Sequence, residues 1–292
     1  MWIVFACLSS LFAGATAILS KLGVKNTDSD VATALRTTVV LFLSILVTLI
    51  TGEYKFIVNT TTKSLIFLIL SGLATGASWI CYFKALSMGE VNKVAVIDKS
   101  SVILSILFAL IIFPDERDNW RIKIICLIAI AFGTFLMIDY KKNDNSDGNN
   151  KKKYGWLLIA FLSAIFASLT SILAKIGIEN VPSNLATSIR TIVVLIMSWL
   201  IVIFRRKIKL IKNINKKDLL FLILSSFATA GSWLCYYYAI SKGQVSVVVP
   251  IDKLSVLFTI VFSSLILKEN IKSKTWVGLS LLLIGTILMA VC

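Results

Sequence analysis

Ten apolar runs follow one another along the 292-residue chain, at 2–20, 31–50, 64–86, 91–113, 122–138, 154–174, 185–204, 219–240, 245–267 and 276–291. A run of about 20 apolar residues, wound as a helix, crosses a hydrocarbon core of roughly 30 Å. Stretches such as 39–50 and 279–287 are apolar on every side, whereas a membrane-barrel strand would alternate in segments of about ten residues. Hydrophobic residues make up 58% of the chain and charged residues 15%, far from the balance of a water-soluble domain. The expected fold class is an all-α integral membrane protein with ten transmembrane helices. The first run lacks a basic leader and a small-residue cleavage pattern, so it is expected to remain in the protein as a span.

The runs come in two sets of five. Lys21, Gly23, Ala32, Thr33, Arg36 and Thr37 reappear as Lys175, Gly177, Ala186, Thr187, Arg190 and Thr191, all displaced by 154 positions. The same shift lays FLILSGLATGASWICY on FLILSSFATAGSWLCY and VIDKSSV on PIDKLSV. Identity at one fixed displacement marks a structural repeat, not shared hydrophobicity. Residues 1–138 form the first five-helix repeat, 139–153 a polar linker containing KKNDNSDGNNKKK, and 154–292 the second repeat. Five is odd, so the second repeat must enter the membrane in the opposite sense. Inverted-topology repeats are the architecture in which two halves rock about an axis in the membrane plane and expose a midplane site to each side in turn.

The net charge of +15 would suggest nucleic acid in a soluble protein. Here the Lys and Arg residues sit almost entirely in the connections, with no basic stripe interleaved with aromatics, and nucleic acid is excluded as a partner in favour of the lipid bilayer. Nineteen of the 30 lie in odd-numbered connections, seven in even-numbered ones (Lys123 among them), and Arg36, Lys99, Arg190 and Lys253 lie inside spans. By the positive-inside rule both termini are outside. Cys7, Cys81, Cys126, Cys235 and Cys292 lie in apolar spans without the short paired spacing of metal or redox motifs. The chain has no histidine, hence no usual general base, metal ligand or pH switch. No cofactor and no metal are expected.

Charge inside a membrane span costs at least about 2.5 to 3.5 kcal/mol and by default marks function. Asp98 and Lys99 sit about seven residues into the fourth span, Asp252 and Lys253 at the matching place in the ninth, and Ser101 and Ser255 close the repeated segment. One reading makes the pairs buried ion pairs that pin the packing. The other lines a cavity with them, to hold a charged or zwitterionic substrate or to exchange a coupling proton or ion. Pro250, two residues before Asp252, withdraws a donor and is expected to open or kink that helix, while Val96 at the matching place does not, so the half-sites need not be equivalent. Arg36 and Arg190 either snorkel to headgroups or face inward toward an anionic group; for Lys21 and Lys175, at the ends of spans one and six, snorkelling is expected. Trp79 and Tyr82, three residues apart and sharing a face with Thr75, and their counterparts Trp233 and Tyr236 form either an interfacial belt or a substrate-contact stripe.

These motifs resemble the drug/metabolite transporter superfamily, in particular its ten-helix branch with two EamA repeats. The resemblance rests on Lys21/Gly23 and Lys175/Gly177, the arginines of spans two and seven, the aromatic-rich ends of spans three and eight leading into Ser87–Gly89 and Ser241–Gly243, the IDKxSV segments, and the acidic residues Asp115 or Glu116 and Glu269 after them. It implies a central cavity bounded by the first four helices of each repeat, with helices five and ten outside it, and export or exchange of small metabolites. It also implies cytosolic termini, against the charge count. The expected function is secondary transport, in the export direction, of a small polar or amphipathic metabolite, amino-acid-like or a drug, by alternating access across the cytoplasmic membrane. A non-transporting assembly or sensor protein is the alternative. An intramembrane aspartyl enzyme fares worst, because a lysine beside each aspartate keeps it ionised whereas a catalytic dyad must share a proton.

Overall fold

The computed structural model describes residues 1–23, 27–88, 94, 97–98, 100–137, 155–267 and 273–291, and the described residues form helices and their connections without strands. With no water in a bilayer core, a spanning backbone must satisfy its own N–H and C=O groups, and the helix does so residue by residue. The helices are α1 (Trp2–Gly23), α2 (Ser29–Ile50), α3 (Thr62–Met88), α4 (Ser101–Ile112), α5 (Trp120–Leu136), α6 (Gly155–Ile178), α7 (Ser183–Phe204), α8 (Lys216–Lys242), α9 (Val245–Lys253), α10 (Ser255–Leu267) and α11 (Ser273–Val291). Among the described residues eight segments are long and apolar enough to cross a membrane, one of them formed by α9 and most of α10 together, and α4 is a shorter apolar helix. With α5, of 17 residues, they account for the ten spans read from the sequence. The linker 139–153 lies outside the described residues.

Two compact units divide the chain. One comprises 1–76, 173–243 and 251–270, the other 77–172, 244–250 and 271–292, so each draws on both repeats. In the first unit α2 packs on its own counterpart α7. Thr48 Oγ1 meets Ser188 Oγ at 2.9 Å, and Trp199 Nε1 donates to Thr38 Oγ1 at 3.2 Å, so residue numbers rise along one helix as they fall along the other. Two repeat-related helices running antiparallel are the inverted topology made visible. In the second unit α5 and α11 do the same. A Cβ on Gly133 would lie 2.6 Å from the Gly278 carbonyl, and one on Gly278 would lie 2.5 Å from the Gly133 carbonyl. Such backbone approach is how membrane helices gain contact where no hydrophobic driving force separates protein from lipid.

A third contact pattern appears twice, once in each direction of the repeat. Gly23 of α1 faces Leu222 of α8, and Gly177 of α6 faces Leu68 of α3; in both cases a Cβ would stand 3.0 Å from the leucine backbone nitrogen. Ser9 Oγ lies 3.3 Å from Ser232 Oγ, and Ser78 Oγ lies 3.2 Å from Ser163 Oγ. All four pairs obey the 154-residue shift.

The connections repeat in place but not in charge. Glu53 accepts from the backbone N–H groups of Asn184 and Leu185 and from Asn184 Nδ2, closing the N-terminus of α7. At the matching position Lys207 reaches Asp28 and Asp30 at 2.7 and 2.6 Å, with Arg205 also on Asp30, at the N-terminus of α2. Partial burial alone would raise the Asp28 carboxyl, but the Lys207 ammonium and the N–H groups of Asp30 and Val31 hold it below the ordinary carboxylate range. Burial opposes the charge on Lys207 in turn, and the two carboxylates raise it above the usual lysine value.

Replacing Gly133 by Ala should cost about 1–3 kcal/mol, because the new methyl meets the backbone of α11, which cannot swing aside as a side chain can. Thermal unfolding in detergent checks it against Gly155→Ala, whose nearest neighbour is the flexible Met88 Cε at 3.5 Å and whose unfolding temperature should not move.

Candidate functional site

The ninth span is broken directly after its aspartate. α9 ends at Lys253, and Leu254 N–H turns to the Ile251 carbonyl at 3.0 Å instead of continuing the α ladder, before α10 begins at Ser255. Pro250 sits inside α9, which runs on through it, so the helix does not open where the sequence led us to expect. The first repeat makes the same turn without a proline. Val94, Ile97 and Asp98 are helical, Ser100 N–H bonds the Ile97 carbonyl at 3.0 Å, and α4 starts at Ser101. Ser100 is the counterpart of Leu254, so the interruption belongs to the repeated IDK segment; Val96, the counterpart of Pro250, lies outside the described residues.

Asp252 is half-buried and accepts from Ser9 Oγ at 2.6 Å, and that hydroxyl lies beside Ser232. Among the described residues Asp252 forms no ion pair, with Lys253 or any other cation. Ser9 was not singled out in the sequence, although Leu8-Ser9 recurs as Leu162-Ser163. Lys253 and Ser255 are half-buried around the break. In the second unit Asp98 is half-buried, Ser101 is buried, and Tyr82 packs on Ala85, Val94 and Ala160 within electrostatic reach of Asp98. Trp79 is half-buried in the same unit, and Lys99 lies outside the described residues.

Both span arginines face protein. Arg190, about two turns into α7, is 1% exposed and does not snorkel. Its Nε donates to Ser71 Oγ at 2.9 Å and its Nη2 to Thr75 Oγ1 at 3.1 Å, both on α3, and its guanidinium carbon lies 4.0 Å from the ring centre of Tyr237. Trp233 and Tyr236 pack with Tyr237 in an apolar cluster that includes Leu68, Ala174 and Ile178. Arg36 repeats the pattern on α2. It is half-buried, and its Nη2 donates at 2.6 Å to Thr229 Oγ1 of α8, the counterpart of Thr75. Lys175 does not snorkel either: its Nζ donates to the Ile240 and Gly243 carbonyls, each at 2.7 Å, and so satisfies the C-terminal end of α8. The Lys21 side chain lies outside the described residues.

The start of α9 is held by charge that the sequence placed elsewhere. Glu116, 2% exposed, accepts from the N–H groups of Val245 and Ser246 at 2.7 and 2.8 Å. Lys123, counted in the sequence among exposed flanking charges, is 1% exposed and donates to the Glu116 carbonyl, Gln244 Oε1 and Ser246 Oγ. A carboxylate at a helix N-terminus satisfies orphan donors and meets the positive end of the dipole.

The model of the EamA-like transporter family matches residues 1–139 and again 154–291. A Sinorhizobium protein named as an uncharacterized transporter in the cobO 3' region is 38% identical over 136 residues, covering 47% of this chain and 96% of the relative. An uncharacterized Methanocaldococcus jannaschii protein is 31% identical over 135 residues, covering 46% of this chain and 96% of its own length. A solved structure titled only as the crystal structure of a protein superposes with a TM-score of 0.80 over 99% of this chain and 96% of that one, at 14% identity, and so shares the fold.

Replacing Glu116 by Ala strips the cap from α9 and leaves two buried N–H groups unmatched, an expected loss of about 1–3 kcal/mol; Glu116→Gln, which keeps an acceptor, should lose less. Unfolding of the two variants in the same detergent ranks them.

Proposed function

Since the chain belongs to the EamA-like transporter family and is a multi-pass membrane transporter, we propose that it moves a small polar or amphipathic metabolite, amino-acid-like or drug-like, by alternating access across the cytoplasmic membrane in the export direction. The observation that carries this reading is the interruption of the spanning helix directly after an intramembrane aspartate, made in the same way in both repeats. Transporters place substrate and coupling-ion sites at such discontinuous helices, where the unwound backbone frees polar groups at membrane depth. Asp252 accepts from a serine hydroxyl and among the described residues has no cationic partner, which leaves its carboxylate a site for a substrate or a coupling proton. The antiparallel packing of α2 on α7 supplies the symmetry that a rocking motion uses. Asp98, Lys99, Lys253, Ser101, Ser255, Trp79, Tyr82, Trp233 and Tyr236 stand as further substrate contacts in this reading.

In proteoliposomes screened against amino acids, nucleosides, sugars and cationic drugs, Asp252→Asn should abolish counterflow of whichever solute the wild type carries while leaving the unfolding temperature unchanged. Full counterflow in the variant would remove Asp252 from the mechanism. For orientation we follow the charge asymmetry, with both termini outside and the linker 139–153 in the cytosol. A cysteine introduced at Asn149 should then resist an impermeant thiol reagent on intact cells; labelling from outside reverses the assignment.

A further inference from the structure

A guanidinium carries five N–H donors, one on Nε and two on each terminal nitrogen. On Arg190 the side of the fork formed by Nε and Nη2 is taken by Ser71 and Thr75. The other edge is not. Nη1 is buried with no partner, the second N–H of Nη2 lies beside it, and among the described residues no carboxylate pairs with the group. Neutral hydroxyls, with that of Tyr237 within hydrogen-bonding reach, and one aromatic face thus surround a positive charge that is 1% exposed. Buried charge persists in proteins when it is paired, and the Coulomb attraction that pairing brings is largest where water is excluded. The donors left over form a planar two-toothed edge, which matches the oxygens of a carboxylate, sulfonate or phosphate.

The second arginine also leaves a nitrogen unmatched, though a different one. Arg36, related to Arg190 by the repeat, also spends a terminal nitrogen on the matching threonine, and its Nε is buried without a partner. One orphaned guanidinium nitrogen in each repeat, on side chains kept through the duplication, is not an accident of one local packing arrangement. A lipid phosphate does not answer the description, because Arg190 is enclosed by protein and its neighbours are Tyr237 and the apolar cluster around it.

We propose that Arg190 anchors the anionic group of the transported solute, which is a small organic anion whose apolar or aromatic body lies against the cluster of Trp233, Tyr236 and Tyr237. The proposal rests on the transport reading above and narrows its substrate class. Ser71 and Thr75 orient the guanidinium, Tyr237 fixes its plane, and the Nη1–Nη2 edge receives the anion. Because no carboxylate among the described residues pairs with the charge, removing it breaks no ion pair there.

Detergent-purified full-length protein is titrated with benzoate, benzenesulfonate and phenyl phosphate, with benzamide and benzylamine as neutral and cationic comparisons and sodium chloride at equal ionic strength as the control. At least one of the three anions should raise the unfolding temperature, and the comparisons and control should not. Arg190→Gln should weaken the binding of that anion by about 10- to 100-fold, while its own unfolding temperature without ligand equals or exceeds the wild type's. Arg190→Lys should retain part of the binding. Stabilisation by benzamide or salt equal to that by the anions, no stabilisation by any anion, or undiminished anion binding in Arg190→Gln would each overturn the proposal. Reconstituted vesicles separate this outcome from the wider one. Anion binding without flux of any solute counts against transport and leaves the site standing. Flux of neutral or cationic solutes that Arg190→Gln leaves unchanged counts against the arginine and leaves transport standing.

Discussion

In a hydrocarbon layer a polar group has only the protein to bond with, and this scarcity of partners organises the molecule. Backbone groups meet the requirement by winding into helices. Thr37, Thr48, Thr187 and Thr191 meet it by bonding back to the carbonyl four residues earlier on their own helices, which gives each hydroxyl an acceptor within its own helix. Helix ends need help from elsewhere, and each source is specific: Glu116 for the start of α9, Glu53 for α7, Asp28 for α2, and the Lys175 ammonium for the end of α8. Four buried side-chain atoms stay unmatched among the described residues, Ser20 Oγ, Thr27 Oγ1, Arg36 Nε and Arg190 Nη1, and the two guanidinium nitrogens are the informative ones because they belong to charged groups.

The spans and the repeat were legible in the sequence because both are long-range statistical features. Twenty apolar residues in a row and identities at a constant displacement survive any ignorance of side-chain geometry. The inverted sense followed by counting, and the antiparallel α2–α7 pair realises it. Individual partners were not legible. Arg190 could be placed in a span, but its three contacts come from residues 47 to 119 positions away in the chain. Asp252 stands beside a lysine in sequence and beside Ser9 in space, because neighbours along a helix point about 100° apart. Lys123 looked like an ordinary flanking charge, since nothing local announces that the connection before α5 folds against the start of α9. Pro250 drew attention because proline has a known mechanism for breaking helices, whereas the turn after it recurs at Ser100 with no proline near.

Symmetry of position coexists with asymmetry of chemistry. The glycine–leucine and serine–serine contacts are the same in both repeats, as close helix packing demands of small residues. Toward the ends the constraint loosens, since water and headgroups can share the polar burden and the repeats are free to differ. The basic stretch around Arg205 to Lys217 has no equivalent around Thr51 to Lys63.

The exchange of Glu53 against Asn184 for Lys207 against Asp30 carries an implication for how such a molecule came to be. Were the two halves separate, identical polypeptides associating head to tail, one locus would have to encode a single amino acid for both membrane surfaces. Joining them in one gene released each copy to specialise, so that an acid could be kept on one face and a base on the other. The two surfaces of the molecule thereby differ in chemistry, one closing a helix end with a carboxylate and the other with an ammonium on paired acids.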